Sequence, residues 1–347
     1  MKCGIIGLPN VGKSSLFNSL TSTQLASVEN YPFCTIEPNI GSVFVPDTRL
    51  QKIADIVMCS KIIPTQISFI DIAGLIKGAS QGEGLGNKFL AHIREVDVIC
   101  HVLRCFEDNN ILHVYDKVNP VDDAKTVETE LIIYDIHHLN IELNKMKKQN
   151  LQFSRDCDLI TKALDHLSQG NPIRSMNIND HRLFQKLKLL TVKPLVYVCN
   201  VSNSDMNTGI ELVREMANSN KVGVISISPK QDSPNNLDMN SYKDLSYLIR
   251  TCYDLLELKT YFTAGIKEVK AWACYKEANA REAAGIIHSD FKSGFIAVQV
   301  ISYQDYINCN GQQEAKKCGR QRKEGSNYII QDGDILHFLF NNNKQNK

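Results

Sequence analysis

Two periods of apolar residues alternate along the chain. The first appears as short unbroken runs: Cys3-Gly4-Ile5-Ile6, Ile40 to Val45, Ile67-Ser68-Phe69-Ile70, Leu195 to Cys199 and Val224 to Ser228. Runs of this kind predict strands covered on both faces, as in a parallel sheet with helices on either side. Ser15 to Leu20, Leu50 to Val57 and Leu245 to Leu258 read as the helices between and after them. From about Asp122 to Leu190 the period changes. Ile132, Ile136, Leu139, Leu143 and Met146 recur at steps of four and three, the seam of a charged helix that packs on another helix. Ile160, Ala163, Leu164 and Leu167 supply the facing stripe, closed by Gly170-Asn171-Pro172. Beyond Thr260, Val269 to Ala273, Phe295 to Val300, Asn327 to Ile330 and Ile335 to Phe340 read as strands around few helices, a small α+β or β-grasp unit.

The first strand runs into Gly7-Leu8-Pro9-Asn10-Val11-Gly12-Lys13-Ser14, which fits G-x-x-x-x-G-K-[ST] in the strand–loop–helix context that a P-loop needs. Gly7 and Gly12 let the backbone N–H groups curl toward phosphate oxygens, and the new helix adds its positive end. Lys13 is placed to reach β- and γ-phosphates, and the Ser14 hydroxyl to ligate Mg²⁺. Asp71, at the end of the strand Ile67–Ile70, suits a Walker-B acid that holds Mg²⁺ through water, and Gly74 can offer its N–H to the γ-phosphate. Thr35, in the polar stretch Ser27 to Asn39, is the candidate second metal ligand from a switch loop. Leu75 stands where Ras-like proteins carry a water-orienting glutamine; Gln81 lies further on in the glycine-rich run Gly78 to Gly86, read as a flexible switch loop. His113 is the candidate general base, set against the alternative of a solvated loop histidine. After Leu195–Cys199 come Asn200-Val201-Ser202-Asn203, where GTPases carry N-K-x-D. With Asn203 in place of the aspartate, the charge-assisted pair to guanine is lost, and adenine becomes at least as acceptable. Asp205 lies two residues too far to replace it.

Composition narrows the classes. With 347 residues, 43% of them hydrophobic, the chain can fill two or three domains. A net charge of +1 gives no global attraction to nucleic acid or membrane. The eleven cysteines are scattered without a CxxC pair, which fits a reduced, cytoplasmic chain better than zinc sites or a disulfide framework. Met1 leads directly into a strand, so no targeting peptide is expected. No apolar run reaches the ~18 residues a membrane span needs. One basic cluster stands out late in the chain: Lys316, Lys317, Arg320, Arg322 and Lys323. It is either a solvated face or an RNA-phosphate contact. Cys34, beside Thr35, reads as an ordinary small residue or as a thiol coupled to the switch.

Gly7 to Ser15, Asn30 to Asn39, Asp71-Ile72-Ala73-Gly74-Leu75, Tyr261 to Gly265 and Gln331-Asp332-Gly333-Asp334 together resemble the YchF/Obg-like ATPase family, nearest its bacterial, ribosome-associated branch. The resemblance implies an α/β P-loop G domain (residues 1–118 and 192–258), an inserted helical coiled-coil domain (119–191), a C-terminal β-grasp-like TGS domain (259–342) and a disordered tail (343–347). It implies Mg²⁺-dependent hydrolysis of ATP in preference to GTP, and binding to the ribosome, chiefly its large subunit or rRNA. A cytoplasmic monomer without membrane or sequence-specific DNA partners fits it. By the same resemblance Asn10, Val11, Gly12, Lys13, Ser14 and Ser15 bind phosphates, Ser14 and Thr35 hold the metal, and Asn200 and the Val201 backbone meet the base with Ser226 near it. His113 matches a loop histidine considered for catalysis. Two positions depart from the family pattern: Asn203 replaces a usual glutamate, and Ile227 a common alanine. The rival readings are an RNA- or ribosome-binding adaptor with nucleotide as a structural ligand, and a true GTPase.

Overall fold

The computed structural model describes residues 1–22, 39–74, 85–108, 110–115, 117–150, 153–177, 181–201, 208–220, 222–228 and 239–341. Thr35, Cys34, Leu75, Gln81, Asn203, Asp205 and the tail 343–347 lie outside them. The strands are β1 (Lys2–Ile6), β2 (Asn39–Phe44), β3 (Ile62–Ile63), β4 (Gln66–Asp71), β5 (Val98–Arg104), β6 (Leu195–Asn200), β7 (Gly223–Ile227), β8 (Leu258–Ala264), β9 (Val269–Tyr275), β10 (Phe295–Ile301), β11 (Arg322–Glu324) and β12 (Ile335–Phe340). The helices that matter most are α1 (Lys13–Ser22), α2 (Thr48–Val57), α3 (Leu85–Glu95), α4 (Pro120–Lys148) and α5 (Arg155–Ser168). Leu85 and Gly86, the end of the expected glycine loop, open α3.

The chain forms two compact units, one from Met1–Val43 and Ser68–Leu248, the other from Phe44–Ile67 and Ile249–Lys347. The first unit carries a sheet in the order β2-β4-β1-β5-β6-β7. β1 pairs parallel with β4 and β5, and β5, β6 and β7 continue in parallel. β5 and β6 are buried at every position, which is why they read as unbroken apolar runs.

In the same unit α4 runs for 29 residues, about 43 Å at 1.5 Å per residue. Asn119 caps its start, Pro120 opens its first turn, and Lys145, Lys147 and Lys148 complement the dipole at its end. α5 starts on the Ser154 cap and doubles back along it. The nine seam positions named from the sequence all meet in one apolar cluster, which Ile173, Phe184 and Leu189 extend. One acidic residue breaks the pattern. Asp135, fully buried, accepts hydrogen bonds from Leu190 N (2.9 Å), Thr191 N (2.8 Å) and Thr191 Oγ1 (2.7 Å). It thereby fixes α4 to the segment that enters β6.

The second unit has a mixed sheet in the order β11-β10-β12-β8-β9-β3. Alternate residues face opposite ways. Phe262, Val269, Ala271, Ile301 and Ile335 pack on Leu50, Ile53 and Ala54 of α2. Tyr261, Cys274, Val298, Val300, Leu336 and Phe338 pack on the helix Ala280–Ile287. Here the structure corrects the sequence reading, which left residues 44–67 in the G domain and began the last unit at 259. The apolar face of α2 completes one side of the second sheet. The helix expected to reach Leu258 ends at Leu255; Glu257 takes a left-handed φ of 54° and β8 begins. Asn327–Ile330 makes only an isolated bridge, because its backbone pairs with the cap at Asn279–Ala280. Instead Arg322–Glu324, within the expected basic loop, forms the edge strand.

The Gln331–Asp334 stretch is a built turn. Asp332 accepts from Thr260 N (2.9 Å) and pairs with Arg49 Nη1 (2.6 Å), while Asp334 accepts from Tyr328 Oη and Gln331 N (both 2.8 Å). Burial alone would raise the Asp332 carboxyl; the Arg49 guanidinium and the Thr260 N–H outweigh it and hold the group below its ordinary value. Its stabilisation is therefore present above the unfolded value near 4 and lost as pH falls through the lower folded one. Asp332→Ala is expected to cost about 1–2 kcal/mol, after allowance for a half-exposed carboxylate, and to flatten the acid limb of stability against pH in denaturant titrations.

Candidate nucleotide site

The loop between β1 and α1 has the curled backbone that its sequence predicts. Gly7 and Gly12 take φ of 150° and 96°, and Asn10 a left-handed φ of 61°. A Cβ at Gly7 would stand 2.5 Å from the Val102 carbonyl oxygen, and one at Gly12 would overlap the Asn200 side-chain amide, so both positions require glycine. Lys13, 8% exposed, donates from Nζ to the Leu8 carbonyl at 2.8 Å. Ser14 Oγ donates to Asp71 Oδ2 at 2.7 Å. Asp71 ends β4 directly opposite Ile5 of β1, which is what brings an acid 57 positions away to the loop. At Gly74 a Cβ would lie 3.1 Å from Lys13 Nζ and 3.0 Å from Pro9 N, so the D-x-x-G stretch lies against the loop. Ser14 and Asp71 form an all-oxygen pair, the donor chemistry of Mg²⁺ with phosphate and water as the remaining ligands. Thr35 lies outside the described residues.

The base-side residues are present but partly committed elsewhere. Asn200 Nδ2 donates to the Val11 carbonyl at 2.9 Å, so this asparagine braces the loop. Val201 N–H is spent on the Ile227 carbonyl at 2.9 Å, and Ser226 stands beside Cys199 in the β6–β7 pairing. Ser15 is exposed in the first turn of α1.

His113 is neither solvated nor free. Its ring is buried, Nε2 lies 2.9 Å from Asp123 Oδ2, and Nδ1 accepts from Tyr115 N at 3.2 Å. With Nδ1 accepting, Nε2 carries the proton that faces Asp123. The preceding residue touches the loop: Asn10 Nδ2 donates to the Leu112 carbonyl at 3.2 Å. Arg104, 1% exposed at the end of β5, shapes this segment by donating to the carbonyls of Phe106 (3.1 Å), Asp108 and Ile111 (both 3.0 Å). Sequence reasoning missed Arg104 and Asp123. Their signals are slight: an arginine closing an apolar strand, and an acid in the first turn of a helix, where dipole complementarity already explains it.

Burial pushes the Lys13 ammonium down to about 8, against a smaller upward pull from Asp71. A polyphosphate would restore the charge. Binding of a triphosphate is therefore expected to take up a proton near pH 8, with affinity falling as pH rises through that value. Titration calorimetry in buffers of different ionisation enthalpy reads the uptake; no difference between buffers would contradict it.

Residues 2–145 match the family described as "50S ribosome-binding GTPase", and residues 258–341 match the family YchF-GTPase_C, described as "Protein of unknown function (DUF933)". The chain is 43% identical to the ribosome-binding ATPase YchF of Bacillus subtilis, over 98% of this chain and 99% of the relative. It is 44% identical to the protein of the same name from Haemophilus influenzae, with the same shares covered. Among solved structures, that of the Schizosaccharomyces pombe YchF GTPase matches with a TM-score of 0.86 at 32% identity, over 98% of this chain and 97% of that one.

Proposed function

The chain belongs to the YchF family, and we propose that it is a Mg²⁺-dependent, ribosome-associated ATPase switch that takes ATP in preference to GTP. The observation that carries this reading is the Ser14–Asp71 pair set against a glycine-curled loop and a buried Lys13. Relatives named ribosome-binding ATPases align with it over nearly their whole length. When bound, Mg²⁺ neutralises developing phosphate charge. The chain's own part is to position. Backbone N–H groups of Asn10 to Ser15 cradle phosphates, Lys13 exchanges the Leu8 carbonyl for phosphate oxygens, Ser14 and Asp71 hold the metal, and Gly74 offers its N–H. Thr35 joins the metal from the switch segment. Asn200, Val201 and Ser226 border the base.

His113 can act on water only after Nδ1 gives up the Tyr115 N–H, and its Nε2–H can stay on Asp123 meanwhile. Slow intrinsic turnover, raised by a ribosomal partner that moves this segment, follows from that arrangement. The natural partner is the large subunit or its rRNA, reached by a monomer in the cytoplasm. Residues 119–191 are read as the inserted helical arm and the C-terminal sheet as a TGS-type unit.

A GTP-using enzyme is the second reading, because both matched families and the matched yeast structure carry the word GTPase. Calorimetric titration of ATP and GTP, each with Mg²⁺, separates the two. ATP is expected to bind more tightly, and Asn203→Asp to improve GTP binding at least about tenfold by restoring the charge-assisted guanine pair. Tighter GTP binding by the unaltered chain would overturn the preference.

A further inference from the structure

The basic cluster singled out in the sequence spends much of its charge internally. Lys317 pairs with Glu314 at 2.6 Å, Arg320 with Asp305 at 3.8 Å and Arg322 with Glu324 at 3.8 Å. A different patch keeps its charge. At the tip of the helical arm, Lys147 and Lys148 close α4 and Arg155 opens α5; all three are exposed, and among the described residues none makes an ion pair. Lys145, two positions before Lys147, is tied to Glu142 at 2.7 Å. Asp156 and Asp158 bound the patch on α5.

Between these cations stands Phe153, 90% exposed, the most exposed aromatic ring among the described residues. Local structure gives it no role. It precedes the Ser154 cap, where an apolar side chain normally staples to the fourth helical residue, and that residue is Asp158. An aromatic face held out to water among unpaired cations matches one chemistry above others. Single-stranded RNA offers bases that stack on such a ring and phosphates that pair with the flanking ammonium and guanidinium groups. An α5 that begins with arginine, against its own dipole, adds to the match.

We propose that the tip of the α4–α5 arm is an RNA-binding surface, on which Phe153 stacks against an unpaired base while Lys147, Lys148 and Arg155 hold the adjoining phosphates. This deepens the ribosome-binding reading and rests on it for the source of the RNA. The lysines at the end of α4 would serve its dipole in any case; Phe153 is the feature that the RNA explains.

The test uses the full chain and a short single-stranded oligoribonucleotide with an internal 2-aminopurine. Binding is followed against salt for the unaltered chain, Phe153→Ala, Phe153→Tyr and Lys147→Gln/Lys148→Gln. Phe153→Ala is expected to weaken binding roughly 5- to 100-fold and to abolish the stacking quench, with Phe153→Tyr restoring both. The double lysine variant should keep the quench while its salt slope falls by about 1.4. The proposal is overturned if the unaltered chain does not bind the oligonucleotide, or if all variants bind it alike. It is overturned too if the variants lose sedimentation with ribosomes yet bind the oligonucleotide normally, for the tip would then meet a protein. Turnover and ribosome sedimentation of the unaltered chain report on the broader reading separately. If both are absent while the Phe153 effects hold, that reading fails and the tip remains an RNA contact.

Discussion

Lys13→Ala is expected to lower ATP turnover by at least about 10²–10³-fold, with or without ribosomes. The side chain is buried at the mouth of the loop, and its ammonium is held by one carbonyl, that of Leu8, when no phosphate is present. A methyl group cannot cross to the β- and γ-phosphates, so the stabilisation lost is that of the transition state. Stability should move differently. Burial depresses the Lys13 pKa to about 8, so below that pH the folded, empty protein carries a buried ammonium that costs it stability relative to the unfolded chain. Removing the charge is therefore expected to leave the empty protein unfolding at the same temperature or higher, while the gain in melting temperature on adding ATP and Mg²⁺ disappears. Phosphate release and thermal unfolding, measured together, check both halves. Unimpaired turnover would sink the assignment of the loop.

Asp135→Ala should show the opposite pattern, a large loss of stability with the nucleotide chemistry spared. It strands Leu190 N and Thr191 N in the interior together with the Thr191 hydroxyl. Removing an acceptor from buried donors costs about 3–5 kcal/mol here, or roughly 6–15 °C in melting temperature for a chain of this size. The pH dependence identifies the group. Burial, outweighing the three donors, raises the Asp135 carboxyl to about 6 in the fold. Unfolded, it titrates near 3.9. Between the two values the native state keeps a proton that the unfolded chain has released, so this group makes stability fall as pH rises from about 4 to 6 and level off above. Denaturant unfolding of the unaltered chain and of Asp135→Ala across that window should differ by this slope. Parallel curves would contradict it.

What could be read from the sequence was what depends on local pattern. The seam from Ile132 to Met146 and its partners at Ile160 to Leu167 follow from helical spacing alone, and they meet as spaced. The phosphate loop is likewise local: its glycines, Lys13 and Ser14 lie within eight residues. Even Asp71 was legible, because a strand end beside a P-loop strand is a restricted address. Features set by tertiary contacts were not. Asp135 sits between Tyr134 and Ile136 in a helix with many charges, and nothing nearby announces that backbone N–H groups 55 and 56 residues away require it. Arg104 and Asp123 depend in the same way on carbonyls and a histidine placed by the fold. His113 reads from sequence as a general base or a solvated loop histidine, because nothing near it names a partner; that partner, Asp123, comes from the first turn of α4. The helix α2 was legible as a helix but not as a member of the second unit, since an amphipathic stripe names no partner.

Because α2 belongs to the second unit, the nascent chain carries it unpartnered. Residues 44–67 emerge early, yet the surface that covers Leu50, Ile53 and Ala54 is drawn from strands beyond residue 258. The stretch 68–248 must be translated in between. At ~5–20 residues per second this leaves the apolar face of α2 uncovered for roughly 10–40 s, and longer if translation stalls. A message cut short anywhere in that interval yields a polypeptide whose α2 never finds its sheet, a substrate for chaperones and proteases. A C-terminal fragment that begins at 249 fails for the complementary reason: it lacks the helix that closes one side of its core.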